Sequence, residues 1–191
     1  MSRSSPSLGT LIWSGEHWLN YLRPPGAEAN SALLSLYHAH YSSAGQGTLA
    51  FVDIPDFFTA ACTDNPAFAR FIIATMIRGS GHIFDRDLPL LEARCERGGD
   101  IRTAPSWSIQ TANHHIESTW SALHKPLVGP PTIHPDIVFT TFIFANEALV
   151  LLNGQKIEGQ PYLRESWRQN LGAPHSSAMF ALAETMIRTP D

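Results

Sequence analysis

Apolar positions recur at helical spacing in the first half of the chain. Ser14 can cap a short helix that Pro24-Pro25 must end. Residues 27–41 are rich in Ala and Leu, and their apolar positions also fit a helix. After Asn65-Pro66, which is typical of a helix start, one helical face carries Phe68, Phe71, Ile72, Thr75 and Met76. The pattern therefore predicts three helices before Gly79, where the last of them ends.

The pattern changes to that of strands after residue 79. Residues 137–145 are rich in β-branched and aromatic side chains, and Asn146-Glu147 can turn the chain into residues 148–152. Asn153-Gly154 is the strongest short hairpin signal in the chain, and Gly98-Gly99 is a second turn pair. Connections this short predict an antiparallel meander, because parallel strands need long crossovers.

Two C-terminal segments complete the prediction. Leu163, Trp167 and Leu171 have helical spacing, whereas residues 176–187 fit either a helix or a closing strand. We therefore expect an α+β fold in which N-terminal helices pack on an antiparallel sheet that is curved or barrel-like. Residues 1–10 are predicted to be a disordered tail, and residues 11–191 a single domain.

Composition limits the partners of this domain. Hydrophobic residues make up 43% of the chain, enough for a core, and the net charge of −4 comes without a basic run, so nucleic acid is not expected. The charged fraction of 16% is low, which fits a surface covered by a second copy in a homo-oligomer. The sequence shows no secretory signal and no apolar run of membrane length, so we expect a cytoplasmic protein without a membrane partner.

The stretch from Trp107 to Trp120 contains the most suggestive chemistry. It places His114, His115 and Glu117 between two tryptophans. A carboxylate beside an imidazole raises its basicity and fixes its orientation, as general-base catalysis requires. In a strand Glu117 shares a face with His115, whereas in a helix it lies one turn from His114. The two tryptophans would lie on opposite faces of a continuous strand, unless it is bulged or broken between them.

Other polar positions carry weaker signals. His38-Ala-His40 could bind a metal from a strand, but the helix predicted there would point the two rings apart. His82 lies in a glycine-rich loop, and His134 precedes a predicted strand. Glu184 stands among apolar residues, and if buried it needs a partner, for which a histidine or Arg188 would serve.

These residues predict an enzyme that acts on a small, largely apolar organic molecule by acid–base chemistry of the lyase, isomerase or cyclase type. No cofactor or metal is assigned, because the hydrolase elbow, phosphate loop, dinucleotide fingerprint and zinc motif are all missing from the sequence. The predicted catalytic residues are Glu117, His115 and His114. The predicted substrate-binding residues are Trp107, Trp120, His82, His134 and Phe142. The alternatives are a non-catalytic protein that binds a small hydrophobic ligand, or a metal-dependent enzyme that uses His82, His114, His115 or His134 with Glu117 or Asp136.

Overall fold

The computed structural model describes residues 9–133 and 136–189, and within them the chain is mostly strand. The strands are β1 (Thr10–Leu22), β2 (Ala32–Ser42), β3 (Gly47–Ile54), β4 (Phe58–Thr63), β5 (Leu90–Glu92), β6 (Arg94–Asp100), β7 (Ala104–Gln110), β8 (His115–Leu123), β9 (Leu127–Val128), β10 (Thr132–Ile133), β11 (Ile137–Leu152), β12 (Gln155–Lys156), β13 (Leu163–Arg164), β14 (His175–Ser176) and β15 (Ala178–Arg188). The helices are α1 (Pro66–Ile72), continued by a π-helical turn (Ile73–Ile77), and α2 (Trp167–Leu171).

One large sheet contains all strands except β13 and β14, which pair with each other. Its order is β5-β4-β3-β2-β1-β15-β11-β8-β7-β6, and β9, β10 and β12 pair with β11. All these pairs are antiparallel except β4 with β5. The sheet is curled, because Trp18 on β1 contacts Trp120 on β8 although β15 and β11 lie between those strands. The described residues thus form a half-barrel.

Both faces of the curled sheet are buried over β1 to β4. The inner face holds a core that includes the three tryptophans Trp18, Trp107 and Trp120 and the stacked ring of Phe180. The outer face of β1 to β4 is covered by α1, by the π-helical turn and by the loop that follows it. Helix α1 begins where the sequence predicts, because the Asn65 side chain accepts hydrogen bonds from the amides of Ala67 and Phe68. Neither described helix has the length and apolarity that crossing a bilayer requires.

The prediction of an α+β fold with N-terminal helices is wrong. The two segments predicted as helices before residue 42 are the strands β1 and β2, in the middle of the sheet. The physical reason is burial on both faces. Eight of the eleven residues of β2 are buried, so its sequence lacks the alternation that marks a half-exposed strand. The apolar spacing then fits a helix equally well.

The predictions for the second half are closer to the structure. Asn153-Gly154 forms the β11–β12 turn with φ angles of 52° and 78°, as the hairpin signal predicts. Residues 178–188 are the closing strand β15 rather than a helix. Asn146-Glu147 does not turn the chain, because β11 continues through it. Gly98-Gly99 lies within β6, and the turn to β7 follows it.

Candidate functional site

The stretch that the sequence singles out is a hairpin of β7 and β8. The chain reverses between Gln110 and His115, so Trp107 and Trp120 face the same side. Their ring centroids lie 6.1 Å and 5.0 Å from that of Trp18. The Trp120 indole donates a hydrogen bond of 2.7 Å to the Leu19 carbonyl. The break between the tryptophans therefore brings both into the inner core, where their rings fill the curl of the sheet.

His115 and Glu117 lie on the opposite, solvent-facing side of this hairpin. His115 Nε2 is 3.3 Å from Glu117 Oε1, and the two side chains are 36% and 44% exposed. The same Nε2 is 2.8 Å from Ser108 Oγ. A catalytic carboxylate–histidine–hydroxyl arrangement needs the carboxylate and the hydroxyl on different ring nitrogens. Here both partners face the same nitrogen, Nε2. His114 instead packs its ring against Phe58, with centroids 4.7 Å apart.

A second polar cluster lies on the inner face. The buried Glu16 carboxylate accepts a hydrogen bond of 3.0 Å from the Trp18 indole and pairs with Arg97. His40 Nε2 is 3.5 Å from the same carboxylate. His38 and His40 lie on a strand, so their rings are on the same face, with centroids 5.7 Å apart. The helix predicted for this segment, which would point the two rings apart, is not formed. Over residues 9–133 and 136–189, however, no three His, Cys, Asp or Glu side chains converge to hold a metal ion.

The strongest acid–base geometry lies on the outer face, in a group that we call the His17–Glu184 centre (His17, Ser35, Tyr37, Thr140 and Glu184). His17 Nδ1 is 3.5 Å from Glu184 Oε2, and His17 Nε2 is 3.3 Å from Ser35 Oγ. The Tyr37 ring stacks on the imidazole with centroids 4.2 Å apart. Thr140 donates a hydrogen bond of 3.0 Å to Glu184 Oε2. The side chains of Glu184 and His17 are only 6% and 15% exposed.

Irregular strand pairing creates this centre. In β15, Ala181 pairs with His17 and Glu184 with Gly15, so the register shifts between these positions. Ala181 lies in the outer core, and simple alternation would turn Glu184 to the inner face. The bulge turns it outward, beside His17. Gly15 allows the accompanying close approach of β2, because a Cβ there would be 2.1 Å from the His38 carbonyl oxygen.

Burial keeps three titratable side chains on the outer face neutral, Tyr37, Tyr21 and His82. Burial raises the pKa of Tyr37 well above its ordinary value, and the charge of Glu184 adds to the shift. Burial also raises the pKa of Tyr21, against the opposing charge of Arg164. Burial lowers the pKa of His82 to about 4, and His17 and Arg164 contribute to that shift. At neutral pH these two phenols and this imidazole are therefore uncharged hydrogen-bonding groups.

The predicted substrate-binding residues are divided between the two faces. Trp107 and Trp120 lie on the inner face, whereas His82 and Phe142 lie on the outer face. His134 is not among the residues that the structure describes. His82 accepts a hydrogen bond of 3.2 Å at Nδ1 from the Phe84 amide. Sequence reasoning missed His17, because its partner is distant in the chain and no local pattern joins them. For Glu184 the sequence offered a histidine or Arg188 as the partner of a buried carboxylate. The structure places a histidine, His17, beside it, whereas Arg188 pairs with Asp136.

No protein-family model matches this sequence, and no similar curated protein or solved structure was found. Its chemistry therefore has to be inferred from its own residues.

Proposed function

We propose that this chain is an enzyme that moves a proton on a small, largely apolar organic molecule, with His17 as the base. One observation carries the proposal: the two ring nitrogens of His17 face different partners, a buried carboxylate and a hydroxyl. That is the order of groups that orients an imidazole for proton transfer. The reaction class is that of a lyase, isomerase or cyclase. The proposal keeps the histidine–glutamate chemistry of the sequence prediction but assigns it to other residues.

Glu184 determines which nitrogen of His17 acts as the base. A carboxylate facing Nδ1 favours the tautomer with hydrogen on that atom, which leaves the Nε2 lone pair free. In the resting protein Nε2 faces Ser35 Oγ. A substrate C–H group that takes the place of this hydroxyl loses its proton to Nε2, and the electron pair of the broken bond moves to an adjacent carbonyl oxygen. The resulting imidazolium is stabilised by the charge of Glu184.

Neutral hydrogen-bond donors near His17 can stabilise the negative charge that forms on the substrate. Tyr37 stacks directly on His17, and the buried Tyr21 belongs to the same outer core. Their raised pKa values keep both phenols protonated, so each can donate a hydrogen bond to a developing oxyanion. His82 has the same capacity, because its Nδ1 accepts from the Phe84 amide and its neutral ring must then carry hydrogen on Nε2.

The surroundings of the centre favour an apolar substrate. The outer core that contains Tyr21 and Tyr37 also contains aromatic side chains, among them Trp13, Phe51, Phe84 and Phe144. A cavity of about 50 Å³ lies beneath the loop that carries His82, with Phe51 and Phe84 in its lining. The lining of this cavity includes none of the five residues of the centre, so we expect the loop that carries His82 to move aside when a substrate enters.

Hydrogen exchange at carbon tests the proposal without knowledge of the substrate. The full chain is incubated in D₂O with small ketones, aldehydes and carboxylic acids that carry a hydrogen next to the carbonyl, and loss of that signal is followed by proton NMR. We expect exchange of at least one compound, its loss in His17→Asn, and its retention in the control His115→Gln. The control removes the exposed histidine that the sequence predicted.

Two results would overturn the proposal. One is a wild-type protein that exchanges no compound above the rate in buffer. The other is a His17→Asn variant that exchanges as fast as wild type. If His115→Gln alone abolishes exchange, the acid–base centre is the exposed His115–Glu117 pair and our assignment is wrong.

A second candidate function is the binding of a small hydrophobic ligand without chemistry. The observation that favours it is a pocket of about 370 Å³, lined partly by Ile54, Phe57, Leu152 and Ile157 and by no histidine. Phe57 is 71% exposed, so its ring offers apolar surface to a ligand in this pocket. The fluorescent probe ANS should bind with a stoichiometry of one, and Phe57→Ser should weaken binding while Phe139→Ser, outside the pocket, should not. Equal effects of the two variants would exclude this pocket.

A further inference from the structure

Arg164 lies over the outer face of the sheet, against the ring of Tyr21 in the outer core. It belongs to the short strand β13, whose pairing with β14 holds it there. The guanidinium carbon is 5.0 Å from the ring centroid of Tyr21 and 5.5 Å from that of Trp167. Both rings are close enough for cation–π contact with the guanidinium. A guanidinium held in this way can still present its N–H groups to a planar anion.

Arg164 stands apart from most arginines of this chain. Seven described arginines have a carboxylate oxygen within 4.0 Å, and Arg164 is not among them. Arg23, two residues after Tyr21, also has no carboxylate partner in the described part, and its guanidinium lies 3.8 Å from the Tyr162 ring centroid. The Arg23 Nε is buried without a hydrogen-bond partner. Two guanidinium groups therefore lie beside aromatic rings without a nearby acidic side chain.

Strand register connects this positive region to His17. Ser35 pairs across the strands with Leu19, midway between His17 and Tyr21. Ser35 Oγ is 3.3 Å from His17 Nε2, and it also lowers the pKa of the Tyr21 phenol by hydrogen bonding. The charges of both His17 and Arg164 act on His82. His17 and Tyr21, the residue whose ring Arg164 contacts, thus lie four residues apart on the same face of β1, roughly 13 Å between their Cα atoms.

We propose that Arg164 binds a carboxylate group of the substrate, so that the molecule turned over at His17 is a small apolar carboxylic acid. The inference rests on the proposed function only in identifying the bound molecule as a substrate. The anion site itself does not depend on catalysis. A guanidinium binds a planar carboxylate through two parallel hydrogen bonds. The aromatic surroundings favour one negative charge on an apolar body over a strongly hydrated phosphate.

Matched probes test the site by binding alone. Isothermal titration calorimetry at low salt compares 4-phenylbutanoate with its neutral amide and with phenyl phosphate, on wild type, Arg164→Gln and Arg164→Lys. Arg168→Gln is the control, because Arg168 is an exposed arginine of the same segment that pairs with Glu165. We expect wild type to bind the carboxylate at least tenfold more tightly than the amide. Arg164→Gln should remove that difference without changing amide binding, and Arg164→Lys should keep part of it.

The outcomes separate this inference from the proposed function. Equal binding of carboxylate and amide to wild type overturns the inference, as does an Arg164→Gln variant that keeps the difference. Tighter binding of phenyl phosphate overturns the assignment to carboxylic acids. Binding that depends on Arg164 and is unchanged in His17→Asn, together with no hydrogen exchange in D₂O, supports the anion site while the proposed function fails.

Discussion

Replacing Trp120 with Phe should destabilise the protein much more than the same change at Trp167. Trp120 is completely buried, and its indole donates to the Leu19 carbonyl across the inside of the curl at 2.7 Å. Trp167 makes a bond of the same kind to the Ser176 carbonyl at 3.2 Å, but it is only partly buried. The two substitutions are therefore chemically matched and differ mainly in access to water.

The expected loss at Trp120 is about 2 kcal/mol. The hydrogen bond contributes roughly 1 kcal/mol net. The smaller ring removes contacts with Trp18, 5.0 Å away between centroids, and leaves a small void, together roughly 1 kcal/mol more. Water can replace the lost partner at Trp167, so the expected loss there is below about 1 kcal/mol.

Urea unfolding followed by far-UV circular dichroism measures the difference. With a slope of about 2 kcal/mol per M, Trp120→Phe should lower the midpoint by about 1 M and Trp167→Phe by less than half of that, with unchanged slopes. Equal shifts in the two variants would refute the reasoning, because they would mean that Trp120 does not lie in a dry interior formed by the curl of the sheet.

Three further predictions concern charge, backbone and surface. Burial lowers the pKa of His82 from 6.5 to about 4, so between these pH values the unfolded chain binds a proton at His82 that the folded chain does not. The free energy of unfolding should therefore fall by up to about 1.4 kcal/mol per pH unit as the pH drops from 6.5 to about 4. His82→Gln should lessen this decline in urea midpoints, and an unchanged decline would contradict the burial of the ring. Gly99→Ala should lower the free energy of unfolding by more than about 2 kcal/mol, because φ is +70° and a Cβ would meet the Ala104 carbonyl oxygen at 2.0 Å. Gly154→Ala is the control, and it should cost about 1 kcal/mol because φ is +78° but the space is open. Similar losses in thermal unfolding of the two variants would exclude the close approach at Gly99. His115→Ala should change stability by less than about 0.5 kcal/mol, since its ion pair is exposed, and a loss above about 2 kcal/mol would show that this pair supports the fold.

Local chemistry in the sequence predicted several features correctly. The cap at Asn65 and the proline after it specify where α1 begins, because both act on the adjacent backbone. Asn153-Gly154 specifies the β11–β12 turn for the same reason, since both residues tolerate positive φ. For Glu117 the sequence left two partners open, His115 in a strand and His114 in a helix, and the strand β8 selects His115.

The remaining features depend on contacts that are distant in the chain. Whether β1 and β2 are strands or helices could not be read from spacing, because burial on both faces removes the alternation that separates the two. His17 and Glu184 are brought together by the pairing of the first and last long strands, and a bulge decides that both face outward. The sequence by itself determined the turn at Asn153-Gly154, the cap at Asn65 and the need of a buried Glu184 for a partner, because these are properties of neighbouring residues. Only the tertiary structure decided the curl of the sheet and the meeting of His17 with Glu184, since both result from pairing across the whole chain.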